Sequence, residues 1–205
     1  MDAGLIIAIA FALAFALTNG FHDAANAIAT LVATRGATPA RAIALSSVFN
    51  LLGAILLGTA VADTIGKIVE VSPDEAIAVI GSGLAGATAW NLITWWRGLP
   101  SSSGHALVGG LVGAALVAGG TSAVNWGGFD GWHPVGVIGT LVALFASPPI
   151  GFAVGFVLLR VIGRLSRRWT RRWGGPVVGA EWAAAAALSY SHGANDAQKS
   201  MGVIA

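Results

Sequence analysis

The sequence predicts an all-α integral membrane protein, a multi-span helical bundle. Hydrophobic side chains make up 56% of the 205 residues, and 29 glycines add to the apolar fraction. Only 10% of the residues are charged, against about 25% in a soluble domain. The apolar residues also form long segments, several near the roughly 20 residues that a membrane-spanning helix needs. This composition excludes a soluble enzyme, a disordered chain and a nucleic-acid-binding protein.

Six apolar segments are predicted to form helices. Five are spans near residues 5–32, 42–62, 75–96, 106–118 and 134–159, and the sixth covers Val177–Ala205. The segment 106–118 is too short to cross a bilayer alone, so a broken or re-entrant helix is predicted around residues 99–118. Glycines at small spacings, including Gly83 and Gly110, predict close packing between helices.

The distribution of Lys and Arg predicts the orientation of the chain in the plasma (inner) membrane. Six arginines lie between Arg160 and Arg172, so the loop 160–173 is predicted to be cytoplasmic. Arg35, Arg41 and Arg97 place two further links on the same side. The link that contains Lys67 and the link around Asp130 then lie outside. Successive links therefore alternate between the two sides of the membrane if every segment crosses it.

The first segment carries a polar stripe where apolar side chains are expected. Asn19, His22, Asp23 and Asn26 are spaced i, i+3, i+4 and i+7, which places them on one side of a helix. Ionisable groups at mid-bilayer are costly and usually face a partner or a wet cavity. The alternative is that the polar side chains only hold neighbouring helices together.

The sixth segment repeats this stripe with the same spacing, in His192, Asn195, Asp196 and Lys199. When the two stripes are superposed, Asp23 matches Asp196 and Gly20 matches Gly193. Five crossings separate the copies, so they run in opposite directions, which is typical of inverted-topology repeats with a site between them. The repeat predicts a first unit over residues 1–175 and the start of a second, incomplete unit over 176–205, and it favours a transport or catalytic site over helix packing.

Three consecutive hydroxyls, Ser101, Ser102 and Ser103, precede the short helix 106–118. Backbone amides and hydroxyls at a helix start form an anion site, and the helix dipole adds partial positive charge. A serine there can also be an ordinary N-cap. Beside two intramembrane aspartates, we favour the ligand interpretation.

The chain resembles the inorganic phosphate transporter family (PiT, or PHO4-type), of which it looks like a bacterial low-affinity permease. The resemblance rests on the paired motifs Gly20–Ala27 and Gly193–Asp196, and on Trp90–Trp96 with the following Gly-Leu-Pro and serine run. It covers essentially the whole chain. Two positions depart from the family pattern: His22 stands where many members have Asn, and Gly104 stands where members often carry a hydroxyl.

The resemblance implies symport of phosphate with H⁺ or Na⁺ by alternating access. The residues expected to bind phosphate are Asp23, Asn26, Ser101, Ser102, Ser103, Asn195, Asp196, Gln198 and Lys199. Those expected to bind the cation are Asn19, His22, Asp23, Asn26, Asn195 and Asp196, with a Na⁺ ion at Asp23, Asn26, Asn195 and Asp196. No cofactor is expected beyond the co-transported cation. The expected partners are phosphate and the lipid bilayer, with no nucleic acid and with a homodimer left open.

Three alternatives remain open at this stage. The first is an intramembrane serine hydrolase with Ser103 as nucleophile and His192 or His105 as base. The second is a carrier for another oxyanion of similar size, and the third is a carrier for a metal–phosphate complex. Family members also continue for several helices beyond this point, so the chain is expected to be a truncation that does not transport alone.

Overall fold

The fold is a bundle of long helices with one short hairpin of strands. The computed structural model describes residues 3–56 and 67–204. Its helices are α1 (Ala3–Ala33), α2 (Pro39–Leu56), α3 (Pro73–Trp96), α4 (Ser103–Gly119), α5 (Gly136–Leu165) and α6 (Gly174–Ile204). Strands β1 (Gly128–Asp130) and β2 (His133–Val135) pair antiparallel between α4 and α5. The prediction of an all-α membrane protein is confirmed, because five helical segments are long and apolar enough to cross a bilayer. They are α1, α2, α3, α5, and α4 together with the 3₁₀ turn Gly120–Ala123 that follows it.

Several helix bounds differ from the sequence predictions. The helix α4 begins at Ser103 rather than residue 106, because Ser102 caps it by accepting a hydrogen bond from the backbone N–H of His105 at 3.4 Å. The helix α5 continues to Leu165, so the first six residues of the predicted loop 160–173 are helical. Arginine is a good helix former, and charge alone does not end a helix. The end of the segment 42–62 lies outside the described residues.

The sixth segment is helical over 31 residues. Polar and charged side chains crowd its C-terminal half, and α6 is not among the five helices apolar enough to be recognised as spans by composition. Its crossing of the bilayer therefore stays a prediction.

Helices α1 and α6 pack antiparallel. At one end of this interface, Thr34 Oγ1 donates a hydrogen bond to Glu181 Oε2 at 2.8 Å, and Trp182 Nε1 donates to the carbonyl of Gly36 at 3.1 Å. Further along, Leu31 and Ala185 share a small apolar cluster. The two polar stripes therefore approach each other from helices of opposite direction, as an inverted repeat requires.

Helices α2 and α6 pack parallel and very close together. Ser189 Oγ donates to Ser46 Oγ at 3.1 Å, and Gly193 lies directly against the backbone of Asn50. Gly53 lies against the carbonyl of Tyr190 in the same way. Glycines at both contacts let the two backbones touch, which is the close packing that small residues permit in membranes.

Helices α3 and α4 form a hairpin whose tip stops short of the end of α1. Thr94 Oγ1 lies 3.4 Å from His22 Nε2, and α3 ends only two residues later, at Trp96. The helix α1 continues to Ala33, which is about 16 Å further at 1.5 Å per residue. The tip therefore reaches only part of the way along α1. This geometry agrees with the predicted re-entrant segment around residues 99–118.

The links between helices group at two ends of the bundle. The Arg35 link contacts the start of α6, which directly follows the arginine-rich segment, so these two basic regions share one end. At the other end, Glu70 N–H donates to the carbonyl of Ala123 at 2.9 Å. This grouping agrees with the sides predicted for these links. The Arg97 link is an exception, because it lies at the tip of the α3–α4 hairpin, partway along α1, and not at the end that holds Arg35. Which end of the bundle faces the cytoplasm stays a prediction.

Candidate functional site

The antiparallel packing of α1 and α6 brings three ionisable side chains of the two stripes together. One ligand atom from each of Asp23, His192 and Asp196 lies within 4.8 Å of the other two. The three residues are half-buried and come from opposite helices. Asp23 lies far from His192 and Asp196 in sequence, so only the folded bundle brings it to the other two.

On the α6 side, both oxygens of Asp196 accept hydrogen bonds from basic groups of the same helix. His192 donates from Nε2 to Oδ2 at 2.8 Å, and Lys199 donates from Nζ to Oδ1 at 3.0 Å. These partners stand at i−4 and i+3, where a helix places side chains side by side. The sequence therefore builds this ion-paired triad locally.

On the α1 side, Asp23 is held by the start of α4. Ser103 Oγ donates to Asp23 Oδ2 at 2.8 Å and lies directly against Asn19 Oδ1. Ser103 and Asn19 are both buried, with 1% and 3% of their surface exposed. The start of α4 thus contacts the first stripe through Ser103.

The first turn of α4 also faces Lys199. A methyl group added at Gly104 would lie 3.5 Å from Lys199 Nζ and 3.8 Å from Ser102 Oγ. The absence of a side chain at Gly104 therefore lets the ammonium group lie close to the backbone of this turn. Amides at a helix start and a lysine together form a strong setting for an anion.

The other two serines point elsewhere. Ser101 Oγ accepts a hydrogen bond from Trp90 Nε1 at 2.9 Å. With Ser102, Trp90 and His105, it lines a cavity of about 570 Å³ on the outer side of the α3–α4 hairpin. Of the three predicted serines, only Ser103 contacts an aspartate of the two stripes.

A larger cavity, of about 700 Å³, opens between α1, α5 and α6. The polar side chains that line it are Asp23, Asn26, Ser147, His192, Asn195, Asp196 and Lys199. A second cavity, of about 420 Å³, lies on the other side of His192 and Asp196, between α1, α2 and α6, and includes Asn19. The ionisable cluster therefore separates two cavities. Gln198 is buried in α6 and lines neither of them.

His22 belongs to a different polar network from Asp23, its neighbour in the chain. Its Nε2 donates to the backbone carbonyl of Asn91 at 2.7 Å. Asn91 is completely buried, and its Nδ2 donates to Thr18 Oγ1 at 3.3 Å. The structure thus does not bring His22, which sequence reasoning placed among the cation ligands, into the group formed by Asp23, His192 and Asp196.

Sequence reasoning also left His192 out of the predicted binding residues, although it noted this residue in the second stripe. The signal was present, because His192 stands one helical turn before Asp196. The α3 residues Asn91 and Thr94 were not singled out as site residues, since isolated polar residues in an apolar helix carry no spacing pattern of their own.

The geometry gives little support to the serine hydrolase alternative. Ser103 Oγ hydrogen-bonds to Asp23, whereas His192 hydrogen-bonds to Asp196. Among the described residues, no hydrogen bond joins Ser103 to a histidine. A serine nucleophile needs a base within hydrogen-bond reach, so the arrangement suits ion binding better than acyl transfer.

Comparison with known proteins gives a consistent result. The sequence model of the phosphate transporter family (PHO4) matches residues 19–180. The chain is 42% identical over its full length to a probable low-affinity inorganic phosphate transporter of Bacillus subtilis strain 168. It is 34% identical, over 98% of its length, to the low-affinity inorganic phosphate transporter PitA of Escherichia coli K12. It spans 60% and 44% of these two proteins, respectively.

A solved structure titled the sodium-dependent phosphate transporter superposes on the whole chain with a TM-score of 0.79 and 25% identity, and the chain covers 67% of it. The relatives are named as transporters, a class that is not enzymatic, and this removes the hydrolase alternative. Because the family match covers most of the chain and the curated relatives align over nearly all of it, this chain belongs to the phosphate transporter family.

Proposed function

We propose that this protein takes part in the symport of inorganic phosphate with H⁺ or Na⁺ across the plasma membrane, by alternating access. The observation that carries the proposal is the cluster of Asp23, His192, Asp196 and Lys199 between two antiparallel helices, beside the first turn of α4. Membership of the phosphate transporter family supports the substrate.

Phosphate binds, in this proposal, between the first turn of α4 and α6. The amides near Gly104, the hydroxyl of Ser103 and the ammonium of Lys199 supply donors from two sides. Lys199 then exchanges its hydrogen bond to Asp196 for one to the substrate. Such an exchange ties anion binding to the charge state of Asp196.

The coupling cation offsets the negative charge of the site. Asp23 and Asp196 carry two negative charges and Lys199 returns one, so a phosphate dianion meets net repulsion. At about 5 Å and an effective dielectric constant of about 20, one pair of unit charges interacts by about 3 kcal/mol. A proton on an aspartate, or Na⁺ held by Asp23, Asn26, Asn195 and Asp196, removes repulsion of this size. Each ion thereby strengthens the binding of the other.

The way in which the helices group supports alternating access. The α3–α4 hairpin is attached to α1 through Ser103 and His22, whereas α2 is attached to α6 through the glycine contacts. The ionisable cluster lies at the seam between these two groups, with a cavity on each side. Rocking one group against the other would open the cluster to one cavity at a time.

The test is uptake of radiolabelled phosphate by proteoliposomes that hold the gene product containing residues 1–205, under an imposed Na⁺ or H⁺ gradient. We expect uptake to follow one of the two gradients. Asp23→Asn and Asp196→Asn should each abolish it without loss of membrane insertion. Asp74→Asn, an exposed position in the first turn of α3, is the matched control and should keep full uptake. Uptake that ignores both gradients, or that survives both site variants, would refute the proposal.

A second candidate is the metal–phosphate form of the substrate. It is favoured by His192, since an imidazole nitrogen next to two carboxylates suits a divalent transition metal better than it suits Na⁺. Co-transport of labelled Zn²⁺ or Mn²⁺ with phosphate, lost in His192→Gln, would support it. Uptake of phosphate at full rate in the presence of a chelator would exclude it.

A further inference from the structure

An arginine-rich surface lies at the junction of α5 and α6 and takes no part in the site described above. Six arginines fall within the 13 residues from Arg160 to Arg172, and this stretch contains no Asp or Glu. All six side chains are exposed. Within the part of the chain that the structure describes, none of them forms an ion pair. The surface therefore holds six positive charges without an internal counterion.

The core of this surface is a tandem repeat of four residues. Ser166-Arg-Arg-Trp169 is followed at once by Thr170-Arg-Arg-Trp173. Each copy forms a 3₁₀ turn, in which the backbone N–H of the tryptophan donates to the carbonyl of the Ser or Thr at 2.9 Å. The two turns share the same backbone hydrogen bond, and each carries a pair of exposed arginines, so the repeat places four arginines on two successive turns.

The two tryptophans of the repeat stack on each other at the surface. Their ring centroids are 5.1 Å apart and the rings are 12° from parallel, while Trp169 is 41% exposed and Trp173 is 46% exposed. Leu165, one turn earlier, is 65% exposed. Large apolar side chains next to arginines that form no ion pair are typical of the membrane–water interface, where tryptophan rings lie at the level of the lipid headgroups.

We propose that this arginine–tryptophan surface, Arg160 to Trp173, binds the phosphodiester headgroups of anionic phospholipids such as phosphatidylglycerol. Guanidinium groups bind phosphate oxygens through paired hydrogen bonds, and the stacked indoles pack against the adjoining acyl chains. The position favours lipid over any soluble phosphate compound, because the apolar helix α5 leads directly into the surface. Clusters of four to eight basic residues next to a spanning helix are typical of such lipid contacts.

The test measures which lipid touches the tryptophan pair. The chain is reconstituted in mixed vesicles of phosphatidylcholine and phosphatidylglycerol, in which one of the two lipids carries brominated acyl chains that quench tryptophan fluorescence. A Trp169→Phe, Trp173→Phe double variant gives the signal of the other six tryptophans, which is subtracted. We expect phosphatidylglycerol to be strongly preferred at the pair.

Paired variants locate the preference. R168Q/R172Q removes one arginine from each copy of the repeat, and since each basic residue near an anionic surface adds about five-fold, the preference should fall by roughly 25-fold. R168K/R172K keeps the charge but loses the paired hydrogen bonds of the guanidinium group, so the preference should fall by clearly less than in R168Q/R172Q. R35Q/R41Q removes two charges from the same end of the bundle and should change the preference less than two-fold.

Four outcomes would overturn the proposal. The first is equal quenching by both lipids in the unmodified chain. The second is a loss of the phosphatidylglycerol preference in R35Q/R41Q as large as that in R168Q/R172Q, which would show that the preference depends only on net charge. The third is an equal loss in the lysine variant, which would show that the positive charge at these positions does not contribute to the preference for an anionic lipid. The fourth is loss of the preference in inorganic phosphate but not in chloride of equal ionic strength, which would mark a site for free phosphate. None of these measurements depends on transport.

Discussion

Replacing Gly193 by alanine is expected to destabilise the protein, whereas the same change at Gly20, its counterpart in the first motif, is not. A Cβ atom at Gly193 would lie under 3.0 Å from the carbonyl oxygen, the Cα and the carbonyl carbon of Asn50 on α2. These atoms belong to a backbone, so they can give way only if α2 and α6 move apart. A Cβ at Gly20 would meet nothing within 4 Å.

The two substitutions should therefore change the free energy of unfolding in opposite directions. Overpacking costs about 1–3 kcal/mol, and a clash between two backbones belongs at the upper end of that range. Against this, alanine gains about 0.5–1 kcal/mol over glycine in a helix. Gly193→Ala should then lose about 2 kcal/mol and Gly20→Ala should gain up to about 1 kcal/mol. For a chain of this size, 1 kcal/mol shifts Tm by about 2–4 °C, so the variants should differ by roughly 6–12 °C.

The assay is thermal unfolding of the detergent-purified chain, followed by far-ultraviolet circular dichroism. Gly86→Ala is a second control, because a Cβ there also meets nothing within 4 Å. Equal Tm values for the Gly193 and Gly20 variants would refute the parallel α2–α6 contact. So would a loss of stability in both control variants, since that would trace the effect to glycine replacement in general.

Three further changes test individual contacts by the same assay. Ser103→Ala removes the hydrogen bond from the buried Ser103 hydroxyl to the half-buried Asp23 carboxylate and should cost about 1–3 kcal/mol of unfolding free energy. The purified chain should also bind phosphate more weakly in equilibrium dialysis. Asn91→Asp places a carboxylate at a completely buried position and should cost at least about 3 kcal/mol, whereas Asn91→Leu should cost about 1 kcal/mol. Trp182→Phe removes the indole N–H that donates to the Gly36 carbonyl in the link between α1 and α2, and it should lower the unfolding free energy by about 1 kcal/mol.

Each of these changes has an outcome that contradicts the structure. Ser122→Ala is the control, because it removes an exposed hydroxyl that donates only to the nearby Gly119 carbonyl. If it lowers the unfolding free energy as much as Ser103→Ala does, the hydrogen bond from Ser103 to Asp23 contributes nothing specific to stability. If Asn91→Asp is as stable as Asn91→Leu, water reaches this position, which contradicts its complete burial in the structure. If Trp182→Phe leaves Tm unchanged, the antiparallel α1–α6 register is in doubt.

The sequence determined the features that arise from composition and local spacing. The scarcity of charge indicated a membrane protein, and the long apolar segments located the described helix ends to within six residues. The end of the segment 42–62 lies outside the described residues. The hydrogen bonds of Asp196 to His192 and Lys199 could be predicted from their spacing, because residues three or four apart are neighbours on any helix. The repeated stripe also indicated that α1 and α6 run in opposite directions.

The tertiary structure decided which side chains share a site. His22 and Asp23 belong to one stripe in the sequence, yet His22 bonds to Asn91 of α3 while Asp23 lies with His192 and Asp196. The physical reason is the pitch of the helix. Consecutive residues point about 100° apart, so two neighbours in one stripe face different helices when both flanks are occupied. Spacing fixes where each side chain lies around its own helix, but only packing decides what lies opposite.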